Sequence, residues 1–545
     1  MAETIASALA QRAGDDRGGI RTDGRTWSWG AVVEEAAARA AHLADLGVAG
    51  GHVGVLLPNV PEFVFLLGAA ALGGTVVVGI NPTRRGAELA RDVRHTDCAL
   101  VLTDVAGEPL LAGLDLGCDV HVVDDEGWWG PVGAHRGARL PASTPPPDEL
   151  YLLLFTSGST GAPKAVRMSS GRAARTASHA AVAFGADAVL YCSMPLFHGN
   201  ALLANLFPGL IAGATVVLKE RFSASAFLPD VRRHGCTYFN YVGRALSYIL
   251  AQPETPDDAD NALQWCLGSE ASPRDRAEFR RRFGCVVVEG YSSTEGGVVI
   301  SPYSGMPKGA LGRPAEGADV VVVDPGTGLE CPRAELGPDG QLRNASEAVG
   351  EIVRRRGGAP FEGYYANEDA DAERTRNGWY WTGDLGYVDG SGTFWFAGRS
   401  ADWLRVDGEN FAAGPVEAII GRFPGVRSVV VYGVPDPVTG DQVMASLELD
   451  DGVAFDPEGF ASFLAAQPDL GTKWTPRFVR VVEAMPLTAT GKVDRKPLRA
   501  ERWTTTDPVW WRPVRGGGFR RLTDADVAAL HDGFASAGRS AVLSS

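Results

Sequence analysis

Short apolar runs alternate with helical patterns along the first half of the chain. Helical patterns such as 29–46 and 85–95 separate runs rich in β-branched residues at 53–57, 75–80, 99–102 and 120–123. The alternation returns with apolar runs at 188–193, 214–218, 238–242, 264–267 and 286–288. Because strands that alternate with helices form parallel sheets covered by helices, the pattern predicts an α/β fold with two doubly wound layers.

The pattern changes to short strands after residue 320 and to an α+β pattern after residue 399. Runs at 320–323 and 350–354, with a hairpin-like segment at 386–396 that turns at Asp389-Gly390, predict a small β subdomain over 320–399. Helices are then predicted at 415–422 and 457–466, and strands at 428–434 and 442–449. We therefore predict a large N-terminal domain at 1–399 and a small C-terminal domain at 400–545 with a tail at 503–545.

The segment 63–80 is apolar enough to raise the question of a membrane span. It only just reaches the length of a span, and Gly73-Gly74 divide it into an Ala/Leu-rich half and a β-branched half. These features favour a buried helix followed by a buried parallel strand. The sequence leaves peripheral membrane contact open. Residues 1–5 show no basic segment followed by an apolar core, so they give no sign of a signal peptide.

Length, charge and cysteine content narrow the function classes. A chain of 545 residues is too long for one ordinary core, so two or more domains are expected. The net charge of −15 argues against nucleic-acid binding, which draws its affinity from excess Lys and Arg on one face. The 7 cysteines are scattered and form no C-x-x-C pair, which indicates reduced thiols and a cytoplasmic protein.

The segment from Leu152 to Lys164 carries the most specific chemical signal, an apolar run followed by hydroxyls, glycines and one lysine. Small residues let backbone N–H groups approach a polyphosphate, hydroxyls add donors, and Lys164 supplies positive charge. The segment is not a Walker A loop, because Gly158 and Gly161 enclose only two residues and no Lys-Ser/Thr follows directly. Alone, such a cluster is equally well explained as a surface turn.

The segment 289–296 follows the predicted strand 286–288, and ligands of open α/β sheets bind at the carboxyl ends of strands. Here Tyr291 can stack on a base, Thr294 can bond a phosphate, and Glu295 can hold Mg²⁺ through oxygen. Taken alone, this segment is better explained as a turn.

Three weaker signals lie nearer the chain's end. Asp384 offers a carboxylate suited to a ribose diol, and Arg399 places a cation at the end of the predicted hairpin. Lys492 lies on a polar, glycine-containing loop. Gly-Asp turns and Gly-Arg dipeptides are common, however, and Lys492 with Arg495 and Lys496 also fits a solvated basic face.

Taken in order, these motifs resemble those of the adenylate-forming superfamily of acyl-CoA synthetases, nonribosomal peptide adenylation domains and firefly luciferase. The matching set is Thr156-Ser157-Gly158-Ser159-Thr160-Gly161-x-x-Lys164, Tyr291-x-x-Thr294-Glu295, Thr382-Gly383-Asp384, Gly398-Arg399 and Thr490-Gly491-Lys492. The ordered set is highly specific and spans nearly the whole chain. Residues 240–243, 406–411 and 519–534 look like the fatty-acid-transport-protein type of long- and very-long-chain acyl-CoA synthetases.

The resemblance implies a role for each matching residue. The β- and γ-phosphates of ATP would lie on the loop formed by Thr156, Ser157, Gly158, Ser159, Thr160, Gly161 and Lys164. The adenine would lie among Gly268, Ser269, Glu270 and Tyr291, with Ser292 and Thr294 in the same nucleotide-binding set. Thr160 and Glu295 would attend Mg²⁺, Asp384 would take the ribose hydroxyls, and Arg399 would lie near the ribose and phosphates.

The same resemblance implies two successive reactions. Lys492 would bridge the substrate carboxylate and the α-phosphate while pyrophosphate leaves and an acyl-adenylate forms. His198 would lie near that carboxylate, with a packed core histidine as the alternative. The C-terminal domain would then rotate, and the CoA thiol would attack the acyl-adenylate along a tunnel lined by Gly408.

Three positions depart from the family pattern. Ala401 stands where a charged hinge residue is common, Ser292 where glycine is usual, and Arg244 where a glutamate follows Gly243 at the mouth of the acyl pocket. The last difference leaves the substrate open between a medium- to very-long-chain fatty acid and a sterol-side-chain-like acid.

The resemblance thus implies an ATP- and Mg²⁺-dependent acyl-CoA synthetase for a hydrophobic carboxylic acid. The alternatives are an acyl-AMP ligase that loads an acyl carrier protein, and a catalytically inactive lipid- or nucleotide-binding homologue. The presence together of Lys164, Glu295 and Lys492 argues against the inactive homologue. The sequence does not decide between a monomer and a homodimer.

Overall fold

The computed structural model describes residues 2–156, 164–269, 271–337, 342–358, 360–399, 403–406, 409–437, 441–467, 469–471, 473–488, 491–514, 517–537 and 539–543. The chain divides by packing into two compact units. The first comprises residues 1–297, 359–373 and 489–491, and the second comprises 298–358, 374–488 and 492–545. The predicted domain ranges 1–399 and 400–545 stay a prediction.

The first unit contains two α/β layers. Its strands are β1 (Gly19–Arg21), β2 (Thr26–Trp27), β3 (His52–Leu56), β4 (Val76–Gly79), β5 (Cys98–Thr103), β6 (Asp119–Val122), β7 (Leu150–Thr156), β8 (Lys164–Ser169), β9 (Val189–Cys192), β10 (Thr215–Leu218), β11 (Tyr238–Val242), β12 (Trp265–Ser269) and β13 (Val286–Glu289). One sheet has the order β6-β5-β3-β4-β7-β8 and the other β13-β12-β11-β9-β10-β1-β2. All pairs are parallel except β7 with β8 and β1 with β2. The predicted strands are therefore confirmed.

Helices connect these strands. They are α1 (Ile5–Gln11), α2 (Trp29–Asp45), α3 (Pro61–Gly73), α4 (Gly86–His95), α5 (Glu108–Leu111), α6 (Glu126–Ala134), α7 (Ser170–Ala181), α8 (Gly199–Ala201), α9 (Phe207–Ala212), α10 (Ala224–His234), α11 (Ala245–Leu250) and α12 (Pro273–Phe283), with a π-helix at Leu202–Leu206. Serines begin several of them: the Ser28 hydroxyl caps α2, and the Ser272 hydroxyl caps α12. Such caps satisfy backbone N–H groups that have no partner within the helix.

Strand residues alternate between two cores, which explains the apolar runs. Val77, Leu152 and Leu154 pack with α1, α2 and α3, whereas Val78 and Leu153 pack with α4 on the opposite face. A strand that is buried on both faces reads as a continuous hydrophobic segment. Helices on both faces make this sheet doubly wound, as the sequence predicts.

The apolar segment 63–80 forms the buried helix α3 and the buried strand β4, which confirms the interpretation given above. Pro61 stands at the first position of α3, and Gly74 ends the helix with a φ of 80°. Across the described ranges of the chain, no helix has both the length and the apolar character needed to cross a bilayer.

The second unit is built mainly on antiparallel strands. They are β14 (Ile300–Ser301), β15 (Arg313–Pro314), β16 (Asp319–Val323), β17 (Gly350–Arg356), β18 (Thr375–Arg376), β19 (Trp379–Val388), β20 (Phe394–Arg399), β21 (Trp403–Val406), β22 (Glu409–Ala412), β23 (Val426–Pro435), β24 (Asp441–Leu449), β25 (Phe478–Val482), β26 (Val509–Trp511) and β27 (Arg520–Arg521). One sheet has the order β16-β17-β19-β18, with β20 on β19, and another has the order β23-β24-β25-β26-β27. The β region and the α+β region are both confirmed.

The remaining helices are α13 (Ala345–Ala348), α14 (Glu368–Arg374), α15 (Ala413–Ile420), α16 (Pro457–Ala465), α17 (Arg495–Glu501) and α18 (Asp524–Ser536), followed by a 3₁₀ turn at Ser540–Leu543. Helix α18 lies in the predicted tail, and Thr523 begins it with a capping box to Asp526.

The predicted hairpin is present, but its reversal is longer than an Asp-Gly turn. Val388 pairs with Phe394, so five residues, 389–393, connect the strands. One carboxylate oxygen of Asp389 accepts hydrogen bonds from the N–H groups of Ser391 and Thr393, at 2.8 and 3.1 Å. A side chain that bonds its own backbone in this way stabilises a wider turn than the dipeptide suggests.

Candidate active site

The two ends of the predicted phosphate loop lie side by side. Thr156 ends β7 and Lys164 begins β8, and the two residues face each other in the antiparallel pair. Residues Ser157, Gly158, Ser159, Thr160 and Gly161 lie outside the described residues, as do Glu270, Ala401 and Gly408. The flanking strands therefore define where the loop begins and ends.

Glu295 lies against the start of this loop. Its side-chain Oε1 accepts a hydrogen bond from the Thr156 hydroxyl at 3.2 Å and another from the Tyr364 hydroxyl at 3.2 Å. The residue is 8% exposed. Among the described residues, its partners are these two neutral hydroxyls rather than a cation. A buried carboxylate without a cationic partner is costly in an apolar environment, so this one is well suited to receive a cation.

Lys164 is also buried, at 5% exposure, and it pairs with a carboxylate. Its ammonium donates to Glu373 at 3.0 Å, and its nitrogen lies 5.6 Å from the centre of the Tyr364 ring. Tyr364 thus touches both Glu295 and Lys164. The ammonium has the position and the charge to exchange its carboxylate partner for a phosphate oxygen.

The predicted adenine pocket lies at the carboxyl ends of β11, β12 and β13. Gly268 packs on Tyr241, because a Cβ there would lie 2.4 Å from the ring. Burial raises the pKa of the Tyr241 hydroxyl above its ordinary value, so this residue stays neutral. Glu289 accepts from the Ala271 N–H at 2.8 Å and ties the loop after β12 to β13. These contacts leave little room for a side chain at Gly268.

Of the other predicted members of this pocket, Ser269 ends β12, whereas Tyr291 and Ser292 follow β13. The Ser269 carbonyl accepts from the Gly243 N–H at 3.0 Å. Tyr291 is half-buried, while Ser292 is exposed.

His198 precedes α8 in a loop that touches the Glu295 turn. The His198 ring is half-buried and lies 4.4 Å from the Phe197 ring, centre to centre. A Cβ on the next residue, Gly199, would lie 3.2 Å from the Thr294 side chain. The first unit therefore brings the His198 loop, Thr294, Glu295 and Thr156 into one region.

The second unit places Asp384 and Arg399 opposite each other on β19 and β20. The Asp384 N–H donates to the Thr382 hydroxyl at 3.0 Å, and that hydroxyl donates to the Ile352 carbonyl at 2.7 Å. The Gly383 N–H donates to the Glu351 carboxylate at 2.7 Å. The Thr-Gly-Asp motif is thus fixed to β17 by the Thr382 hydroxyl and by the Gly383 N–H. The Arg399 side chain lies outside the described part of the chain.

Lys492 lies in a tight turn. The Thr488 N–H donates to the Lys492 carbonyl at 2.7 Å, and the Lys492 N–H donates to the Thr488 hydroxyl at 3.2 Å. The residue is half-buried. Helix α17 follows this turn, and its Arg495 pairs with Glu417 of α15 at 2.9 Å.

Comparison with known proteins identifies the family. The family described as AMP-binding enzyme matches residues 7–365, and that described as AMP-binding enzyme C-terminal domain matches residues 415–492. This chain belongs to the AMP-binding enzyme family.

Two curated members of this family match nearly all of the chain. The steroid-22-oyl-CoA synthetase of Rhodococcus jostii (strain RHA1) is 52% identical over 549 residues, with 99% of each protein covered. The medium/long-chain-fatty-acid–CoA ligase FadD17 of Mycobacterium tuberculosis (strain ATCC 25618 / H37Rv) is 46% identical over 506 residues, covering 92% of this chain and 96% of that protein. The chain is an acyl-CoA synthetase of the AMP-binding enzyme family, with ATP and CoA as its co-substrates.

Solved structures of the family share the fold. ATP-bound MatB from Rhodopseudomonas palustris has a TM-score of 0.81 at 24% identity, covering 92% of this chain and 98% of that one. The predicted likeness to the transport-protein type is the more distant one, since mouse long-chain fatty acid transport protein 5 is 30% identical over 515 residues, with 86% of this chain and 72% of that protein covered.

The residues present fit the metal ion that the family implies. Mg²⁺ prefers oxygen ligands from carboxylates and from the phosphates of its substrate. Glu295 offers a buried carboxylate whose described partners are neutral hydroxyls, and it lies beside Thr156 at the phosphate loop. A divalent ion there would supply the positive charge that this carboxylate lacks.

Sequence reasoning missed the segment 360–373, which contributes Tyr364 to Glu295 and Glu373 to Lys164. Lys164 and Glu373 are 209 residues apart in the chain, and one glutamate among 66 acidic residues carries no signal of its own. Only the fold reveals these partners.

Proposed function

We propose that this acyl-CoA synthetase activates a carboxylic acid on a steroid side chain. The observation that carries the substrate class is the 52% identity to a steroid-22-oyl-CoA synthetase across 99% of both proteins. A medium- or long-chain fatty acid is the second candidate, because a fatty-acid–CoA ligase is 46% identical over 92% of this chain. Both are hydrophobic acids.

In the first reaction, a carboxylate oxygen of the acid attacks the α-phosphorus of ATP, and pyrophosphate leaves with the electrons of the broken P–O bond. Lys164 and the loop after Thr156 hold the β- and γ-phosphates, and the Asp384 carboxylate accepts hydrogen bonds from the ribose hydroxyls. Lys492 stabilises the negative charge that builds up on the α-phosphate oxygens in the transition state. These steps need positioning and charge rather than a covalent enzyme intermediate.

The proposed reaction also requires Mg²⁺. Glu295, with Thr160, would hold Mg²⁺, and a bound ion would supply positive charge to the phosphates. Removal of Mg²⁺ with excess EDTA is expected to abolish pyrophosphate release, and addition of Mg²⁺ beyond the EDTA concentration is expected to restore it. Release that persists without any divalent ion would contradict the metal assignment.

In the second reaction, the CoA thiol attacks the acyl carbonyl, the thioester C–S bond forms, and AMP leaves with the electrons of the acyl–phosphate bond. Gly408 is proposed to line the path of the pantetheine arm. His198 is proposed to lie near the carboxyl group of the acid. The predicted cytoplasmic location, the peripheral membrane contact, and the choice between monomer and homodimer stay predictions.

A panel of acids tests the substrate class. The purified chain is supplied with ATP, Mg²⁺ and CoA, and with a steroid-22-oate, palmitate, octanoate or acetate, while pyrophosphate, AMP and acyl-CoA are quantified. We expect the largest kcat/KM for the steroid acid, a smaller value for the fatty acids, and no turnover of acetate. A preference for palmitate or octanoate would transfer the assignment to the second candidate.

The acceptor is tested in the same assay. An arm without CoA but with a phosphopantetheinylated acyl carrier protein is expected to give no acyl transfer. Transfer to the carrier protein in preference to CoA would contradict the assignment of CoA as acceptor. Binding of ATP without pyrophosphate release from any acid would indicate the inactive homologue.

A further inference from the structure

Arg172 is a buried cation near the candidate site whose role the sequence does not indicate. It lies in the first turn of α7 and is 3% exposed. The Ser169 hydroxyl caps this helix by accepting from the Arg172 N–H at 3.2 Å. A guanidinium is tolerated inside a protein only where oxygen atoms receive its N–H groups. The positions of those oxygens show what the side chain holds together.

The guanidinium connects the two segments that carry Lys164 and Glu295. One terminal nitrogen donates to the Arg167 carbonyl at 3.0 Å, in the strand that begins at Lys164. The other donates to the carbonyl of Thr294, the residue before Glu295. Arg172 is therefore a direct link between β8 and the Glu295 turn.

Gly296 shows how closely this turn packs on the guanidinium. Its φ is 73°, and a Cβ at this position would lie 2.7 Å from the Arg172 terminal nitrogen. The turn is closed by the Gly296 N–H, which donates to the Ser293 carbonyl at 3.0 Å. Glycine suits both the left-handed backbone and the close approach. The shape of the turn and the position of the guanidinium therefore depend on each other.

Glu362 holds the other side of this arrangement. Its carboxylate lies 3.9 Å from the Arg172 guanidinium, and it accepts from the N–H and the hydroxyl of Ser169, both at 2.7 Å. The cap of α7 and the charge of Arg172 are thus both fixed by one carboxylate from the segment 360–373.

We propose that Arg172 is a positioning residue for Mg²⁺–ATP. Through the Thr294 carbonyl it sets the turn so that the Glu295 carboxylate meets Thr156 at the phosphate loop. The proposal rests on the proposed function for the role of Glu295. Lysine does not replace this arginine, because an ammonium is a single point charge and lacks the planar fork that reaches two carbonyls at once.

The test compares Arg172→Lys and Arg172→Met with the matched variants Arg175→Lys and Arg175→Met. Arg175 lies three residues further along α7 and is exposed. Binding of Mg²⁺–ATP is measured by calorimetry without any acid, and thioester formation is measured separately from synthetic acyl-adenylate and CoA. We expect both Arg172 variants to weaken Mg²⁺–ATP binding by about 10- to 100-fold, since small displacements of a positioned group have effects of this size.

The second half-reaction is expected to keep its wild-type rate in the Arg172 variants, and the Arg175 variants are expected to match the wild type throughout. Unchanged Mg²⁺–ATP binding would overturn the proposal, as would an equal loss in Mg²⁺–ATP binding and in thioester formation, which indicates only a general structural role. If Arg172→Met does not fold, Arg172→Lys and Glu362→Gln carry the test. Because the binding measurement needs no acid, a wild-type chain that binds Mg²⁺–ATP but makes no acyl-CoA would refute the proposed function alone.

Discussion

The two units of the chain hold their candidate active-site groups in different ways. In the first unit, Glu295 and Lys164 are 8% and 5% exposed and bond to partners from distant parts of the chain. In the second unit, Asp384 and Lys492 are half-buried, and the N–H group of each donates to the hydroxyl of a threonine close by in the chain.

Because of this difference, we expect mutations in the two units to affect folding stability differently. A buried charged group that loses its partner destabilises the folded protein, because the remaining group stays desolvated. A group that the backbone positions at a partly exposed turn can be removed with little effect on folding. We therefore expect mutations in the first unit to change activity and stability together, and mutations in the second unit to lower activity alone.

Lys492→Ala is expected to have the largest effect on activity with the smallest effect on folding. Adenylation should fall by on the order of a hundredfold or more, because a preorganised charge is lost from the transition state. Formation of acyl-CoA from synthetic acyl-adenylate should survive. Pyrophosphate release and melting temperature are measured side by side, with Lys496→Ala as the control on the neighbouring helix.

A comparable loss in both half-reactions of Lys492→Ala would contradict a role confined to adenylation. An unchanged rate of adenylation would indicate that this lysine belongs to a solvated basic face instead of the active site.

Asp384→Ala is expected to raise the KM for ATP by about 30- to 150-fold, which corresponds to about 2–3 kcal/mol from charged hydrogen bonds to the ribose. The KM for CoA should change little, and the melting temperature should stay near that of the wild type. Steady-state kinetics with each substrate varied in turn provide the measurement. Equal losses for ATP and CoA would count against the ribose assignment.

Glu295→Gln is expected to affect both the activity and the stability of the protein. The amide keeps the size of the side chain but removes its charge, so the apparent affinity for Mg²⁺–ATP should fall by about tenfold or more. The free energy of unfolding should rise by up to about 1 kcal/mol, because the amide removes a buried charge whose described partners are neutral and keeps an oxygen that accepts from the hydroxyls of Thr156 and Tyr364. Denaturant unfolding and a Mg²⁺ titration measure these two effects. A variant with normal stability would break the contrast between the units.

Tyr364→Phe is expected to give the smallest effect of the series. It removes one hydroxyl from Glu295 but keeps the ring beside Lys164, which predicts a loss of about 1 kcal/mol in stability and a several-fold rise in the KM for ATP. Tyr365→Phe is the matched control, because its hydroxyl bonds Asp97 instead. If the two variants behave alike, the Tyr364 hydroxyl does not support the site.

Much of the fold could be predicted because most of its parallel strands are buried on both faces. Runs such as 75–80 and 152–156 are apolar for this reason, and the glycine-rich and acidic motifs that follow such runs mark the strand ends. Thr156, Lys164 and Glu295 could be found in this way. The wide turn at Asp389 was missed, because a dipeptide does not show which backbone N–H groups the side chain will bind.

The supporting residues could not be predicted, since their role arises from contacts between distant parts of the chain. Arg172 resembles any helical arginine in the sequence, and its burial depends on the Thr294 carbonyl, 122 residues further on. The roles of Glu373 and Tyr364 also depend on contacts with residues that are distant in the chain. No pattern of period 2 or 3.6 marks such residues.

The central claim, that an acyl-adenylate precedes the thioester, is tested by mass spectrometry of a reaction run in two stages. The chain is incubated with ATP, Mg²⁺ and the preferred acid of the panel, and CoA is added only afterwards. We predict acyl-AMP and pyrophosphate in the first stage, and conversion of that acyl-AMP to acyl-CoA and AMP in the second. Acyl-CoA that forms with ADP and phosphate, or without a preceding acyl-AMP, would contradict the account.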